Sequence, residues 1–351
     1  MTAHRAARPA ADRLVWEAGS RLTPRDRWLL AMLAEHQVLT GAQITQLAYT
    51  NPRTAQSRLA LLHGLDVLDR ARHYYGPRTG PYHYTLGPTG ARLLAAERGT
   101  TLADLGYRRD HLLTLLNSPR LAHLVGTNGL FTALAHTSRT LPEKEGLTAW
   151  WPETRAAAMW GQFIRPDGYG TWHTAHRRLD FHVEYDTGTE PLTRVLAKLP
   201  GYARLATASG IPSPLLIWLP TAGREAHLRA RLAASSSHGA VPVVTASPTP
   251  TSPDDEPGDL AGARTVWLPL DATRRATLHQ LAERYGTLTT PTHDPDDDPP
   301  GDRDAPFPRP PADQPLPHPE HTTTTTAIPG NVQSTRLRGF PGQQIIPGKA
   351  R

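Results

Sequence analysis

Hydrophobic residues recur at helical spacing through Trp28, Leu29, Leu30, Met32 and Leu33, and Thr23 followed by Pro24 marks where that predicted helix starts. A second helix is predicted behind Thr40. A third follows behind Asn51, with Pro52 at its first position and Gly64 at its end. The period then changes from helical to alternating. Residues 67–75 and 82–86 alternate as strands, Gly76, Pro77, Gly80 and Pro81 make the turn between them, and a fourth helix starts at Pro88.

Three helices, a hairpin and a closing helix are the layout of a winged helix-turn-helix, assigned to residues 22–110 behind a flexible N-terminus at 1–21. An amphipathic helix over 119–134 bridges to a second region, where extended segments at 147–151, 163–167 and 178–186 come in a run. Segments then alternate: a helix over 192–206, a strand over 214–219, a helix over 224–234 and a strand over 265–270. This order predicts a mixed sheet with helices packed on it over 111–287, interrupted by a Pro/Ser/Thr/Asp-rich disordered insertion at 247–260. From 288 to 351, prolines, acids and the threonine run at 322–326 replace apolar periodicity, which predicts a disordered tail. The expected fold class is α+β in two domains.

Composition narrows the chemistry. The chain has no cysteine, which removes disulfides, thiolate zinc sites and cysteine nucleophiles and fits a cytoplasmic setting. Its sequence holds no run long enough for a membrane span and no signal-peptide pattern, so no membrane partner is expected. Fifteen arginines against nine acids lie between Met1 and Asp110, which equals the whole formal net charge of +6. Positive charge is thus concentrated where a nucleic-acid module is predicted.

In a winged helix the third helix enters the major groove and the hairpin reaches the backbone. Arg53, Thr54, Gln56, Ser57 and Arg58 are the polar residues of that helix, and Arg70, Arg72 and Arg78 are interleaved with tyrosines on the hairpin. Double-stranded DNA is therefore the expected partner. A winged helix used for dimerisation, with its tyrosines as hairpin core, is the alternative.

Acids sit at the edges of apolar runs at Asp167, within Arg165-Pro166-Asp167, and at Glu184 and Asp186. Alternate strand positions share a face, and a hard cation such as Mg2+ is held by carboxylates so placed. The arrangement resembles the restriction-endonuclease-like superfamily, in which Pro-Asp ends one strand and acid-X-lysine ends the next. The resemblance implies Asp167, Glu184 and Asp186 as metal ligands and Asp167, Glu184 and Lys198 as the catalytic set. Asp186 stands where that pattern has lysine. Lys198, the one lysine between Lys144 and Lys349, falls on a predicted helix face with Arg194 and Glu190, although Pro200 and Gly201 limit that helix. Glu153 is a weaker further acid. Plainer alternatives stand beside these: Pro166-Asp167-Gly168 as a turn, Asp186 bonding its own backbone, Arg177 and Arg178 neutralising Glu184, and His123 as a packed or hydrogen-bonded residue. A site that keeps the fold without the chemistry is equally compatible.

Two other chemistries find no support. His173 and His176 are spaced His-X-X-His, without the His-X-His of a rolling-circle relaxase, and Gly76 to Gly80 lacks the length and lysine of a phosphate loop. The run from His123 to Asn128, then Arg165-Pro166-Asp167, then Glu184-Tyr185-Asp186-Thr187-Gly188-Thr189-Glu190 with Lys198 and Tyr202, resembles the bacterial replication-relaxation family over roughly residues 22–270. The resemblance implies a DNA transaction in replication or relaxation of a plasmid or integrative element. A homodimer and replication-protein partners reached through the tail are the further partners considered. A non-catalytic transcriptional or replication-initiation regulator is the alternative function.

Overall fold

The computed structural model describes residues 15–75, 78–142, 145–234, 241–248 and 266–289, and only the backbone of 73–75 and 78–79. The expectations for 1–14, for 249–260 of the insertion, for the tail from 290 and for the Arg78 side chain lie outside the described residues.

Helix starts follow their caps. After a helical segment at 15–21 (α1), Thr23 forms a capping box with Asp26 at α2 (Pro24–His36), and Thr40 forms one with Gln43 at α3 (Gly41–Ala48). The Asn51 side chain accepts from the amides of Arg53 and Thr54 at the start of α4 (Pro52–Gly64). β2 (Leu68–Tyr75) and β3 (Arg78–Leu86) pair as the expected hairpin, and β1 (Leu39–Thr40) pairs with β3 on its other side, Leu39 opposite Tyr84. α5 (Pro88–Glu97) closes this lobe against α2.

α6 (Arg109–Leu116) and α7 (Arg120–Ser138) lead into a mixed sheet. β4 (Gly146–Pro152), β5 (Gly168–His173) and β6 (Arg177–Tyr185) are antiparallel, with α8 (Glu153–Trp160) between β4 and β5 in sequence. α9 (Leu192–Ser209) then crosses to β7 (Leu215–Trp218), which runs parallel to β6 with Glu184 opposite Ile217. α10 (Ala222–Ala233) leads to a second parallel strand, β8 (Val243–Ala246), and β9 (Leu268–Pro269) pairs antiparallel to it. After α11 (Leu278–Tyr285), β10 (Thr287–Leu288) pairs with the start of β6. The molecule is α+β with a mixed sheet, as the order of segments predicts. Among the described residues no helix is long and apolar enough to cross a membrane.

Several local expectations change. Residues 161–163 form a turn and β5 begins only at Gly168, so Asp167 stands at the entrance of a strand and not at the end of one. A Cβ at Gly168 would come within 2.6 Å of the Phe131 ring, so the strand can enter the core there only without a side chain. α9 also runs straight through Pro200 and Gly201. Pro200 is exposed and costs the helix one hydrogen bond, while Gly201 presses against the Phe163 carbonyl, 2.7 Å from where a Cβ would sit. α1, α6, α8, α11, β1, β5, β8 and β10 are additional to the predicted elements, and α1 occupies the end of the segment expected to be flexible up to residue 21.

The two lobes share a core. His36 of α2 stacks on Trp150 of β4 at 3.8 Å between ring centroids, and Phe131 of α7 stacks on Trp150 at 5.4 Å and on Phe181 at 6.2 Å. Burial, helped by the Arg155 charge, pushes the His36 pKa down to about 3, so the ring enters this stack neutral. Polar ties flank it: Gln43 Nε2 donates to the Val125 carbonyl at 2.8 Å, and Asn128 Nδ2 donates to the carbonyls of Val38 at 2.7 Å and His36 at 3.2 Å. Arg155 pairs through two nitrogens with Glu35.

Asn128 is 1% exposed, so Asn128→Ala leaves two carbonyls buried without that donor and is expected to destabilise the protein by about 1–3 kcal/mol. Thermal unfolding followed by circular dichroism should show one cooperative transition at lower temperature; two separated transitions would contradict a shared core.

Candidate functional site

Asp167, Glu184 and Lys198 meet. Lys198 Nζ donates to Asp167 Oδ1 at 3.2 Å and makes a still shorter contact with Glu184 Oε2. Three further groups complete the cluster. Tyr202, one turn after Lys198 on α9, donates to Glu184 Oε1 at 2.6 Å, and His123 Nε2 of α7 lies 2.9 Å from Asp167 Oδ2. The Tyr185 amide donates to the same Asp167 oxygen at 2.8 Å. Each of the four carboxylate oxygens thus has a protein partner.

Each residue is positioned by its element. The Asp167 amide donates to the Val183 carbonyl, which fixes the residue beside β6 one position before β5 starts. Glu184 sits near the end of β6, between β5 and β7, and is 3% exposed. α9 packs its Leu199 and Tyr202 into the core and so turns Lys198 toward the strand ends. α7 comes close because Gly126 has no side chain: a Cβ there would lie 2.3 Å from the Tyr185 ring. Behind Glu184, Tyr202 packs on His182 at 5.3 Å and His182 on Trp160 at 5.0 Å. Burial lowers the His182 pKa to about 4, so this backing is neutral.

Burial works against charge throughout the cluster, and neighbours decide the outcome. For Asp167 burial raises the pKa, but the His123 hydrogen bond and the Lys198 charge outweigh it and leave the group at about 2. Glu184 goes the other way: burial first, and then the Asp167 charge, push it well above the usual carboxylate range despite Lys198 and Tyr202. Burial lowers the Lys198 pKa, yet the charges of Glu184 and Asp167 more than reverse this and hold the ammonium charged. His123 is likewise raised, its burial outweighed by Asp167 with a smaller contribution from Glu153.

Asp186 takes no part in this cluster. Its Oδ1 accepts from the Gly188 amide at 2.7 Å, where Gly188 adopts φ +83°, and its carboxylate pairs with Arg224. Beyond the strand end, the period-two rule that would align it with Glu184 no longer applies. Nor do Arg177 and Arg178 neutralise Glu184, since they pair with Glu283 and Asp180. Glu153, exposed in the first turn of α8, acts on His123 by charge alone. Among the described residues no group of three or more His, Asp and Glu is placed to hold a metal ion. Two carboxylates around one cation position are what the site offers.

In the other lobe, Arg53, Thr54, Gln56 and Ser57 are exposed along α4 while Ala55, Leu59 and Leu62 are buried. Arg58 is drawn inward to Asp26, which is 1% exposed, with Nε donating at 3.0 Å, and it also donates to the Arg21 carbonyl at 2.7 Å. On the hairpin both Arg70 and Arg72 stack over Tyr82, at 4.4 and 3.8 Å from its centroid, whereas Tyr84 is core. His123 and Tyr202 were the harder residues to find from sequence. A glycine in mid-helix three positions after His123 is the signal for a close approach there.

Removing the lysine should leave two carboxylates facing each other. Lys198→Met is expected to cost about 3 kcal/mol at neutral pH by guanidinium unfolding, and Glu184→Gln in the same chain should recover part of that loss. The lowered pKa of Asp167 makes its contribution to stability complete above the unfolded value of about 3.9 and lost as pH falls toward about 2. Asp167→Asn should therefore flatten the fall in unfolding midpoint over that acid range relative to wild type.

A sequence profile described as replication-relaxation matches residues 30–214, which spans α3 to α9, every residue of the acid–lysine cluster and the whole hairpin. No curated protein and no solved structure matches the chain. With more than half its length inside that profile, the chain belongs to the replication-relaxation family.

Proposed function

We propose that the chain binds double-stranded DNA and nicks it, so that a supercoiled plasmid relaxes. In this reading α2 to α5 with the β2–β3 hairpin are a winged helix-turn-helix, and the sheet lobe is a restriction-endonuclease-like unit that takes Mg2+. The observation that carries it is the meeting of Asp167, Glu184 and Lys198, from a loop, a strand and a helix, at one half-buried point. A role in replication and relaxation follows from the family.

Asp167 and Glu184 fit a single divalent ion, because both already face one cation. The chemistry such an ion supplies when bound is polarisation of a phosphodiester and a lower pKa for an attacking water. The chain's own groups do the rest. His123 and the Tyr185 amide hold the Asp167 carboxylate in one orientation, Tyr202 holds Glu184, and Lys198 offers a positive charge to a developing phosphate anion. On the DNA-binding lobe, the exposed face of α4 supplies Arg53 and Gln56 for base edges and Thr54 and Ser57 for phosphates. Arg70 and Arg72, held against Tyr82, supply backbone contacts.

The complete set of donors around both carboxylates favours one second reading, a regulator in which the cluster is a structural ion pair. Experiment separates the two. Arg53→Ala with Gln56→Ala should weaken duplex binding by about 1–3 kcal/mol per lost base contact and reduce its salt dependence. Arg58 is a poor choice for this test because its loss strands Asp26. Wild type should convert supercoiled plasmid to open circles with Mg2+, and Asp167→Ala and Glu184→Ala should bind duplex without converting it. Binding without nicking across a panel of divalent ions would leave the regulator, and no duplex binding at low salt would overturn both.

A further inference from the structure

We infer that Lys198 is the resting cation of the acid pair, and that a DNA phosphate and a divalent ion replace it together. DNA and metal would then bind as partners and not independently. The inference rests on the nuclease reading above and concerns the regulation of that site.

The geometry is that of an occupied cation position. One ammonium touches both carboxylates, and an ion of charge +2 placed against the same oxygens meets a positive charge at contact distance. Adding the ion on top of the lysine is therefore unfavourable, and exchange is the remaining route. The lysine side chain is 34% exposed, against 10% for Asp167 and 4% for Glu184, so the ammonium can be met from solvent while the acids beneath it are largely covered.

The side chain, not the helix, has to move. α9 is held beside Lys198 by Leu199 and Tyr202, which are packed in the core, and by the Tyr202–Glu184 hydrogen bond one turn after it. Lysine has a flexible four-carbon stem and can leave while its backbone stays. What it lacks is somewhere to go. The two acids in the segment between β6 and α9 are taken, Asp186 by Arg224 and Glu190 by Arg194. Leaving the pair for water gives up two charge-assisted hydrogen bonds, whereas a phosphate at the mouth of the site offers an equivalent partner. The incoming strand thus draws the ammonium out, and the two carboxylates, left without their cation, then need a new one. By linkage, whatever factor DNA adds to metal affinity, metal adds to DNA affinity.

The test measures Mn2+ binding by electron paramagnetic resonance with and without a short mixed-sequence duplex at low salt. Wild type should bind Mn2+ weakly alone and at least about tenfold tighter with duplex present. Lys198→Met should bind Mn2+ tightly without duplex and show little further gain. Equal wild-type affinity with and without duplex overturns the inference, as does a Lys198→Met protein that binds no tighter than wild type. Should that variant not fold, the two wild-type titrations decide alone. Nicking of plasmid without any coupling would sink the lysine exchange and leave the nuclease reading intact, while Mn2+ binding under no condition would sink both.

Discussion

Helix α7 has to satisfy two partners at once, and most of the architecture follows from that constraint. Its Val125 carbonyl and Asn128 side chain are bonded to α3 and to the chain just before it, while Phe131 lies in the stack that runs into the sheet. Because the helix is held from both sides, its first turns reach the strand ends at a set height. Gly126 admits the Tyr185 ring and His123 reaches Asp167. The acid cluster is thus assembled partly by the lobe that carries none of its acids.

Within the cluster, charge has been placed where solvation is poor, and only mutual contact makes it tolerable. Burial makes Glu184 readier to take up a proton even with its partners in place. Lys198 and Tyr202 supply the partners that water would otherwise provide. A buried arrangement of this kind is a weak source of net stability, since two acids and an ammonium lose hydration in forming it. It lies against a neutral aromatic backing of Trp160, Tyr169 and His182.

Sequence patterns carried the N-terminal lobe almost entirely, because its signals are local: Thr23, Thr40 and Asn51 cap their helices through residues two or three positions away. The acid pair and the lysine were legible for a different reason. Few residue types can hold a cation, and this chain has one lysine in the relevant two hundred residues. What sequence could not reveal were partners set by tertiary contact. His123 lies 44 positions from Asp167, and nothing local says that they touch. Asp186 misled for the opposite reason, since strand periodicity was extended one residue past the strand's end, where a turn and Arg224 take over. The short β8 is buried throughout and reads as a strand only once β7 is beside it.

The stack of His36 on Trp150 has a mechanical consequence. A hinge between the two lobes would let their separation vary. Here that joint is filled with packed rings and closed by Arg155 and Glu35, so the spacing between α4 and the acid pair behaves as a fixed ruler. On the proposed reading, a duplex gripped at α4 would have to bend or open to bring a phosphate to the lysine. The proposed nicking would then favour sequences that deform easily beside Lys198.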